Sequence, residues 1–147
     1  MLAQFYRLIC EFIIKKPNNQ QKRILIMSAI IIFSLALALV QFWILPASLN
    51  LRNLTYLLSN RDGNVETSRT YDRIAKAAVN YQESLPAFLT LSLLSLQMGV
   101  DLTTTATAWL WLRIAYVASY GAGIIYLRTI IWLGSLGCLV SMAMQLL

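Results

Sequence analysis

Long apolar runs separated by short polar stretches make up most of this chain. The run 24–45 contains no charged residue and is long enough to cross a hydrocarbon core of about 30 Å. A polar stretch follows it up to about position 70, and glycine-containing breaks divide the remaining apolar sequence. The pattern predicts an all-α membrane protein, a four-helix bundle with up-and-down connections. The transmembrane helices are expected at about 24–52, 70–97, 102–120 and 124–146 of a single domain, 24–147.

Residues 1–23 have a different, amphipathic pattern. Leu2, Phe5 and Ile9 share one helical face, and Arg7 and Glu11 lie on the other. We interpret this segment as a helix that lies on the membrane surface. A frayed terminus is the alternative that the pattern leaves open.

The composition places the chain in a membrane. Apolar residues make up 59% and charged residues 12%, against about 25% charged residues in soluble domains. The chain has no histidine, which removes the commonest general base and metal ligand. Cys10 and Cys138 have no metal-binding spacing, so no metal site is expected. The net charge of +6 favours contact with anionic headgroups or an anionic ligand, and no nucleic acid partner is expected.

Polar side chains form one stripe along the second predicted helix. Arg73, Lys76, Asn80 and Glu83 are spaced so that they fall within about 80° of one helical face. A charge near the bilayer centre costs about 2.5–3.5 kcal/mol on insertion scales. The stripe is therefore expected to face protein, water or ligand, as one wall of a polar site.

The third predicted helix carries a second polar face. Arg113, Tyr116 and Tyr120 share one side of it, and the rise of about 1.5 Å per residue places Arg113 near the depth of Glu83. We predict a structural ion pair between Glu83 and Arg113, because pairing would explain how the membrane tolerates both charges.

Cations dominate the predicted site. Up-and-down connections bring the end of helix one, the start of helix two, the end of helix three and the start of helix four to the same side. The set suits a small anionic ligand with one ammonium group, because the cations would meet carboxylates and Glu83 or Asn80 would meet the amine or amides. The cationic members are Arg52, Arg73, Lys76 and Arg128.

The order and spacing of these residues resemble the MAPEG superfamily, the membrane-associated proteins in eicosanoid and glutathione metabolism. The resemblance is carried by R-x-x-K-x-x-x-N-x-x-E-x-x-P from Arg73, by R-x-x-Y-x-x-x-Y from Arg113 and by L-R-T at 127–129. The stretch 58–62 resembles the bacterial branch, and the resemblance covers about 30–146.

This resemblance implies a homotrimer of four-helix subunits that binds glutathione between neighbouring subunits. Arg128 would stabilise the glutathione thiolate, and Arg113 would be the structural partner of the helix-two glutamate. Relatives often carry histidine and arginine where this chain has Ala78 and Val79. The positions implied to contact glutathione are Arg52, Lys76, Asn80, Glu83, Tyr116, Tyr120 and Thr129.

The function that the resemblance implies is that of a microsomal-type glutathione transferase or peroxidase. It would conjugate or reduce lipophilic electrophiles that arrive through the bilayer of a bacterial inner membrane, with glutathione as cosubstrate. Two other functions stay open. One is a non-catalytic lipid-binding or scaffold protein of the same fold, and the other is a small proton-coupled exporter that uses Glu83 as its carrier.

Overall fold

The computed structural model describes residues 18–49 and 68–147. These residues are almost entirely helical and contain no strand, as the apolar pattern predicted. The amphipathic segment 1–17, Arg52 and the stretch 58–62 lie outside the described residues. Four long helices form the described part: α1 (Asn19–Leu49), α2 (Arg69–Met98), α3 (Thr103–Ala122) and α4 (Ile125–Leu146).

Helix α1 begins earlier than the expected position 24. The side chain of Asn18 accepts a hydrogen bond from the backbone N–H of Gln20 at 2.7 Å, and Gln21 Oε1 accepts one from the backbone N–H of Asn18 at 3.2 Å. This reciprocal capping satisfies backbone donors that would otherwise be unpaired at the helix start. The polar residues 19–23 therefore open α1, and the predicted boundary at 23 is too late. A π-helical turn at Val40–Ile44 interrupts α1 near its end.

The ends of α2 and α3 follow from local chemistry. Ser68 Oγ accepts from the backbone N–H of Tyr71 at 3.1 Å and starts α2. Pro86 lies inside α2 without ending it. Gly99 and Gly123 end α2 and α3 with φ of 73° and 80°, a left-handed conformation that glycine adopts without a Cβ penalty.

The core is centred on Trp109 of α3, which is fully buried. Its ring stacks on Phe88 with a centroid distance of 3.9 Å, and the ring of Tyr81 lies 5.8 Å away. Tyr81 reaches across to α1, where its hydroxyl donates to the backbone carbonyl of Ser34 at 2.8 Å. These contacts fix α1, α2 and α3 against each other around one aromatic cluster.

An ion pair closes the end of the bundle opposite the candidate site. Arg23 Nε at the start of α1 lies 2.9 Å from Asp101 Oδ2 in the turn between α2 and α3. The other carboxylate oxygen of Asp101 accepts from the hydroxyl and the backbone N–H of Thr103, at 2.7 and 3.2 Å. The turn is thereby tied both to α1 and to the start of α3.

Two of the four described helices, α1 and α4, are long enough and apolar enough to cross a membrane. Large apolar side chains point away from the bundle along both, for example Trp43 and Tyr126, which is 86% exposed. An apolar outer surface of this extent indicates contact with lipid or another protein. Helices α2 and α3 carry more polar residues and pack between them.

Candidate functional site

The polar stripe of α2 lies next to the buried face of the helix, on the side of α2 that points away from the bundle. The buried face contains Ile74, Ala77 and Tyr81. At 100° per residue, Asn80 falls about 100° from the centre of that face and Glu83 about 160°. Accordingly Asn80 is half-buried, whereas Glu83 is exposed. The other two members, Arg73 and Lys76, are exposed as well.

Arg113 is the most deeply placed charge of the site, with 2% of its surface exposed. Its Nη1 donates to Asn80 Oδ1 at 2.8 Å, and Asn80 is its only hydrogen-bond partner among the described residues. The predicted ion pair between Glu83 and Arg113 is wrong. Glu83 is exposed and lies about 60° further than Asn80 from the buried face of α2, and the half-buried Asn80 bonds to Arg113 instead.

Aromatic rings hold the guanidinium groups of α3 and α4 in a row. Arg113 Cζ lies 5.5 Å from the centroid of the Trp109 ring and 5.8 Å from that of Tyr116. The rings of Tyr116 and Tyr120 meet edge to face at 5.5 Å. Arg128, from α4, lies over the Tyr120 ring at 4.6 Å. Such contacts attract the cation electrostatically without neutralising it.

The first of two adjoining cavities, which we name the outer cavity, has a volume of about 300 Å³. Cations from two helices face it, namely Arg73 and Lys76 from α2 and Arg128 from α4. No carboxylate borders it within the described residues. The remaining lining consists of Ser119, Tyr120, Gly123, Ile124 and Ile125.

Gly123 brings the α3–α4 turn close to this cation cluster. A Cβ at this position would lie 2.8 Å from Arg73 Cζ, and the backbone φ of 80° disfavours any side chain. Glycine is therefore the residue that lets the guanidinium of Arg73 lie directly on the turn between α3 and α4.

The second cavity, which we name the inner cavity, has a volume of about 240 Å³ and lies deeper along α4. It shares Arg128 and Tyr120 with the outer cavity. Hydrogen-bonding groups and one indole line the rest of it, and no carboxylate does so within the described residues. These residues are Asn80, Tyr116, Thr129 and Trp132.

The structure thus brings most of the predicted site residues together around two cavities that meet at Arg128 and Tyr120. Glu83 borders neither cavity, and Arg52 is outside the described residues. The described residues contain no cluster of three His, Cys, Asp or Glu side chains that would hold a metal ion.

Trp132 and Ser119 also line the site, and sequence reasoning did not assign them to it. The signal available in the sequence is the spacing of four residues between Trp132 and Arg128, which places both on one face of α4. Ser119 precedes Tyr120 and is buried, with its hydroxyl bonded back to the carbonyl of Tyr116 at 2.9 Å. A serine whose hydroxyl bonds to its own helix has no sequence pattern that would assign it to a binding site.

Comparison with known proteins gives the family of the chain. The model of the MAPEG family matches residues 25–147, nearly the whole chain. The chain belongs to the MAPEG family. That family is membrane-associated and glutathione-related, and it includes glutathione transferases as well as members with non-catalytic roles. A comparison with curated proteins finds no match for this MAPEG-family chain.

Proposed function

We propose that this MAPEG-family protein is a glutathione-dependent transferase or peroxidase, a multi-pass protein of a bacterial inner membrane. The observation that carries the proposal is the position of Arg128 at the junction of the two cavities. An aromatic ring holds its guanidinium, and no carboxylate that borders either cavity competes for it. A cation in that situation is available to an anion of the ligand.

The two cavities together suit glutathione. Its carboxylates would meet the cations of the outer cavity, Arg73 and Lys76. Its cysteinyl sulfur would then lie near Arg128, where the outer cavity joins the inner one. The aromatic and apolar groups around the inner cavity, including Trp132, would accept the lipophilic substrate.

The chemistry requires a thiolate, because the free thiol of a cysteine, with a pKa of about 8.5, is a poor nucleophile. Lowering that pKa by two units takes about 2.7 kcal/mol. One guanidinium in a poorly hydrated cavity can supply this energy. Arg128 would favour the charged sulfur and release the thiol proton to water.

Two reactions are open to such a thiolate. In the transferase reaction the sulfur forms a bond to an electrophilic carbon, and the leaving group departs with the electron pair. In the peroxidase reaction the sulfur attacks the terminal oxygen of a hydroperoxide, and the alkoxide leaves and takes up a proton. A second glutathione then displaces hydroxide from the resulting sulfenic acid, which yields glutathione disulfide and water.

The exposed stripe on α2 supports a homotrimer as part of this proposal. Glu83 lies about 16 Å along the helix from Asp72, well inside a span, and is exposed in the single subunit. Lys76 also borders an open cleft of about 410 Å³ on the outer side of α2. Charges at that depth need protein or water around them, and neighbouring subunits that place α2 at the centre of a trimer would provide both.

Non-catalytic lipid binding on the same fold is the second candidate. The apolar side chains of Ile124, Ile125 and Trp132 beside the cations would suit an anionic lipid as well as a tripeptide. A proton-coupled exporter that uses Glu83 as its carrier is disfavoured, because Glu83 borders neither cavity.

Ultraviolet difference absorbance of the purified protein with glutathione tests the proposal, because a bound thiolate absorbs and a lipid scaffold would show no such signal. We expect Arg128→Leu to keep the fold and lose most of the thiolate absorbance and most of the turnover with an aryl halide. Arg69→Leu is the matched control, since Arg69 is exposed at the start of α2 and borders neither cavity. Wild-type absorbance and turnover in Arg128→Leu would refute the mechanism.

A further inference from the structure

The hydrogen bond between Arg113 and Asn80 fixes which atom of the Asn80 amide faces Arg113. A guanidinium has only donors and no acceptor. The amide atom that lies 2.8 Å from Arg113 Nη1 must therefore be the oxygen of Asn80, whichever way an amide could otherwise be turned. The NH₂ group of Asn80, on the other branch of the planar amide, is left for other partners.

Arg113 is itself held firmly enough to impose this orientation. It is buried between the rings of Trp109 and Tyr116, at 5.5 and 5.8 Å. Its Nε has no hydrogen-bond partner among the described residues, so the bond to Asn80 is its one polar anchor. Breaking that bond would leave a buried charge unpaired, which is costly.

The inner cavity is where the free branch of Asn80 can act. Asn80 is half-buried and borders this cavity together with Arg128 and Thr129. The hydroxyl of Thr129 donates to the backbone carbonyl of Ile125 at 3.2 Å, so its proton is already used. The donors that remain for a ligand are the NH₂ of Asn80, the guanidinium of Arg128, the indole N–H of Trp132 and the tyrosine hydroxyls.

We infer that Arg113 is a positioning residue that turns the NH₂ group of Asn80 into the inner cavity, so that Asn80 recognises an acceptor atom of the ligand. The recognised atom is a carboxylate, carbonyl, phosphate or thiolate atom. The sequence expectation left Glu83 or Asn80 to meet the amine or amides of the ligand, and an amide carbonyl is an acceptor that an NH₂ group can bind.

This inference rests on the proposed function for its ligand, glutathione, and its test therefore has one arm without any ligand. In protein labelled with ¹⁵N-asparagine, the side-chain NH₂ signals of Asn80 are identified by their loss in Asn80→Asp. We expect nuclear Overhauser contacts from these protons to the rings of Tyr120 and Trp132, and we expect them to weaken in Arg113→Met. Contacts to the Trp109 ring instead would overturn the inference.

The second arm measures glutathione affinity by calorimetry in a double-mutant cycle. We expect Asn80→Ala and Arg113→Met each to weaken binding about tenfold, the loss of one good hydrogen bond. In the Asn80→Ala background, Arg113→Met should cause no further loss of glutathione affinity. In the protein that keeps Asn80, Arg113→Lys should bind glutathione more tightly than Arg113→Met does. Losses that multiply would show that Arg113 does not act through Asn80.

Asn80→Asp covers the case in which Arg113→Met fails to fold. It keeps an oxygen for Arg113 but replaces the NH₂ branch by a second carboxylate oxygen, so stability should be retained and glutathione affinity should fall by more than tenfold. Unchanged affinity in Asn80→Asp would refute the inference. Absence of glutathione binding to the wild-type protein would refute the proposed function alone, because the ligand-free arm still decides the orientation of Asn80.

Discussion

The guanidinium of Arg128 lies over the face of the Tyr120 ring, with 4.6 Å between its Cζ and the ring centroid. This contact joins α3 to α4 across the turn that contains Gly123. Tyr120 is held in turn by the edge-to-face contact with Tyr116 at 5.5 Å. A ring rather than a carboxylate therefore sets the position of Arg128, and its positive charge stays available to an anionic ligand.

Substitution of Tyr120 tests this relationship. We expect Tyr120→Phe to keep the ring face and therefore to retain the position of Arg128, with thiolate absorbance close to that of the wild type. Tyr120→Leu removes the ring, and the lost cation–π contact, about 0.5–2 kcal/mol, should lower the thiolate fraction severalfold. The measurement is ultraviolet titration of bound glutathione against pH. Equal thiolate fractions in the phenylalanine and leucine variants would show that the ring does not position Arg128.

The stability of the α2–α3 interface should depend on Asn80 and not on Glu83. We expect Arg113→Met and Asn80→Leu to be non-additive in thermal unfolding in detergent, because each breaks the same charged hydrogen bond, worth about 1.5–3 kcal/mol. Glu83→Gln and Arg113→Met should be additive, since the two side chains form no ion pair. Coupling between Glu83 and Arg113 larger than that between Asn80 and Arg113 would contradict the structure.

The turn between α2 and α3 should give the protein a defined response to acid. The hydrogen bond from the Thr103 hydroxyl, that from its backbone N–H and the charge of Arg23 hold the pKa of Asp101 below its usual range. Because the pKa is depressed in the folded state, the unfolded chain binds the proton more readily. The ionised Asp101 therefore stabilises the folded state at pH values above its unfolded pKa of about 3.9. This stabilisation is lost as the pH falls through the pKa of Asp101 in the folded state.

Asp101→Asn should therefore lower the melting temperature slightly and equally at pH 7 and pH 5. The effect should be small because an exposed ion pair contributes little. At pH values below the folded pKa of Asp101, the two proteins should melt together. Arg23→Gln serves as the comparison, since it removes the partner and leaves the carboxylate with its bonds to Thr103. A difference between wild type and Asp101→Asn that grows on acidification would contradict this assignment.

The fold could be predicted largely because helix signals are local. Ser68 before an apolar run, and glycines after Met98 and Ala122, mark ends that depend on residues close in sequence. The start of α1 was misplaced because the run 18–21 reads equally well as the end of one helix or the cap of the next. The reciprocal bonds between Asn18 and Gln21 show that it is a cap.

The partner of Arg113 could not be predicted from depth alone. Asn80 and Glu83 differ by less than one helical turn, and the sequence favours the carboxylate because opposite charges attract. The choice is made by the rotation of α2, which Tyr81 and Ala77 fix through their burial against the other helices. The two candidates are about 60° apart around α2, and packing of the core decides which of them faces Arg113.

The proposed homotrimer is motivated by the position of Glu83, an exposed charge at span depth on the outer face of α2. We expect a homotrimer by native mass spectrometry across several mild detergents, because a single subunit would expose this charge to lipid. On α4, a Cβ added at Gly137 would meet no neighbouring atom within 4 Å, whereas one at Gly134 would meet the side chain of Leu112 in the same chain at 3.5 Å. The face around Gly137 is thus open to a neighbouring helix. A monomeric mass in every detergent would exclude the trimer.

Mixed oligomers can then show which residues a neighbouring subunit supplies. Asn80 and Arg128 border the same cavity within one chain, whereas Glu83 borders neither cavity of its own chain. If Glu83 acts at the site of the adjacent subunit, co-assembly of Glu83→Leu with Arg128→Leu subunits should create some intact sites and regain glutathione-dependent turnover that neither variant has alone. Co-assembly of Asn80→Asp with Arg128→Leu is the matched control and should regain none, because every inner cavity then carries one defect. Recovery in both mixtures would mean that Arg128 acts across the interface, and recovery in neither would place the complete site within one subunit.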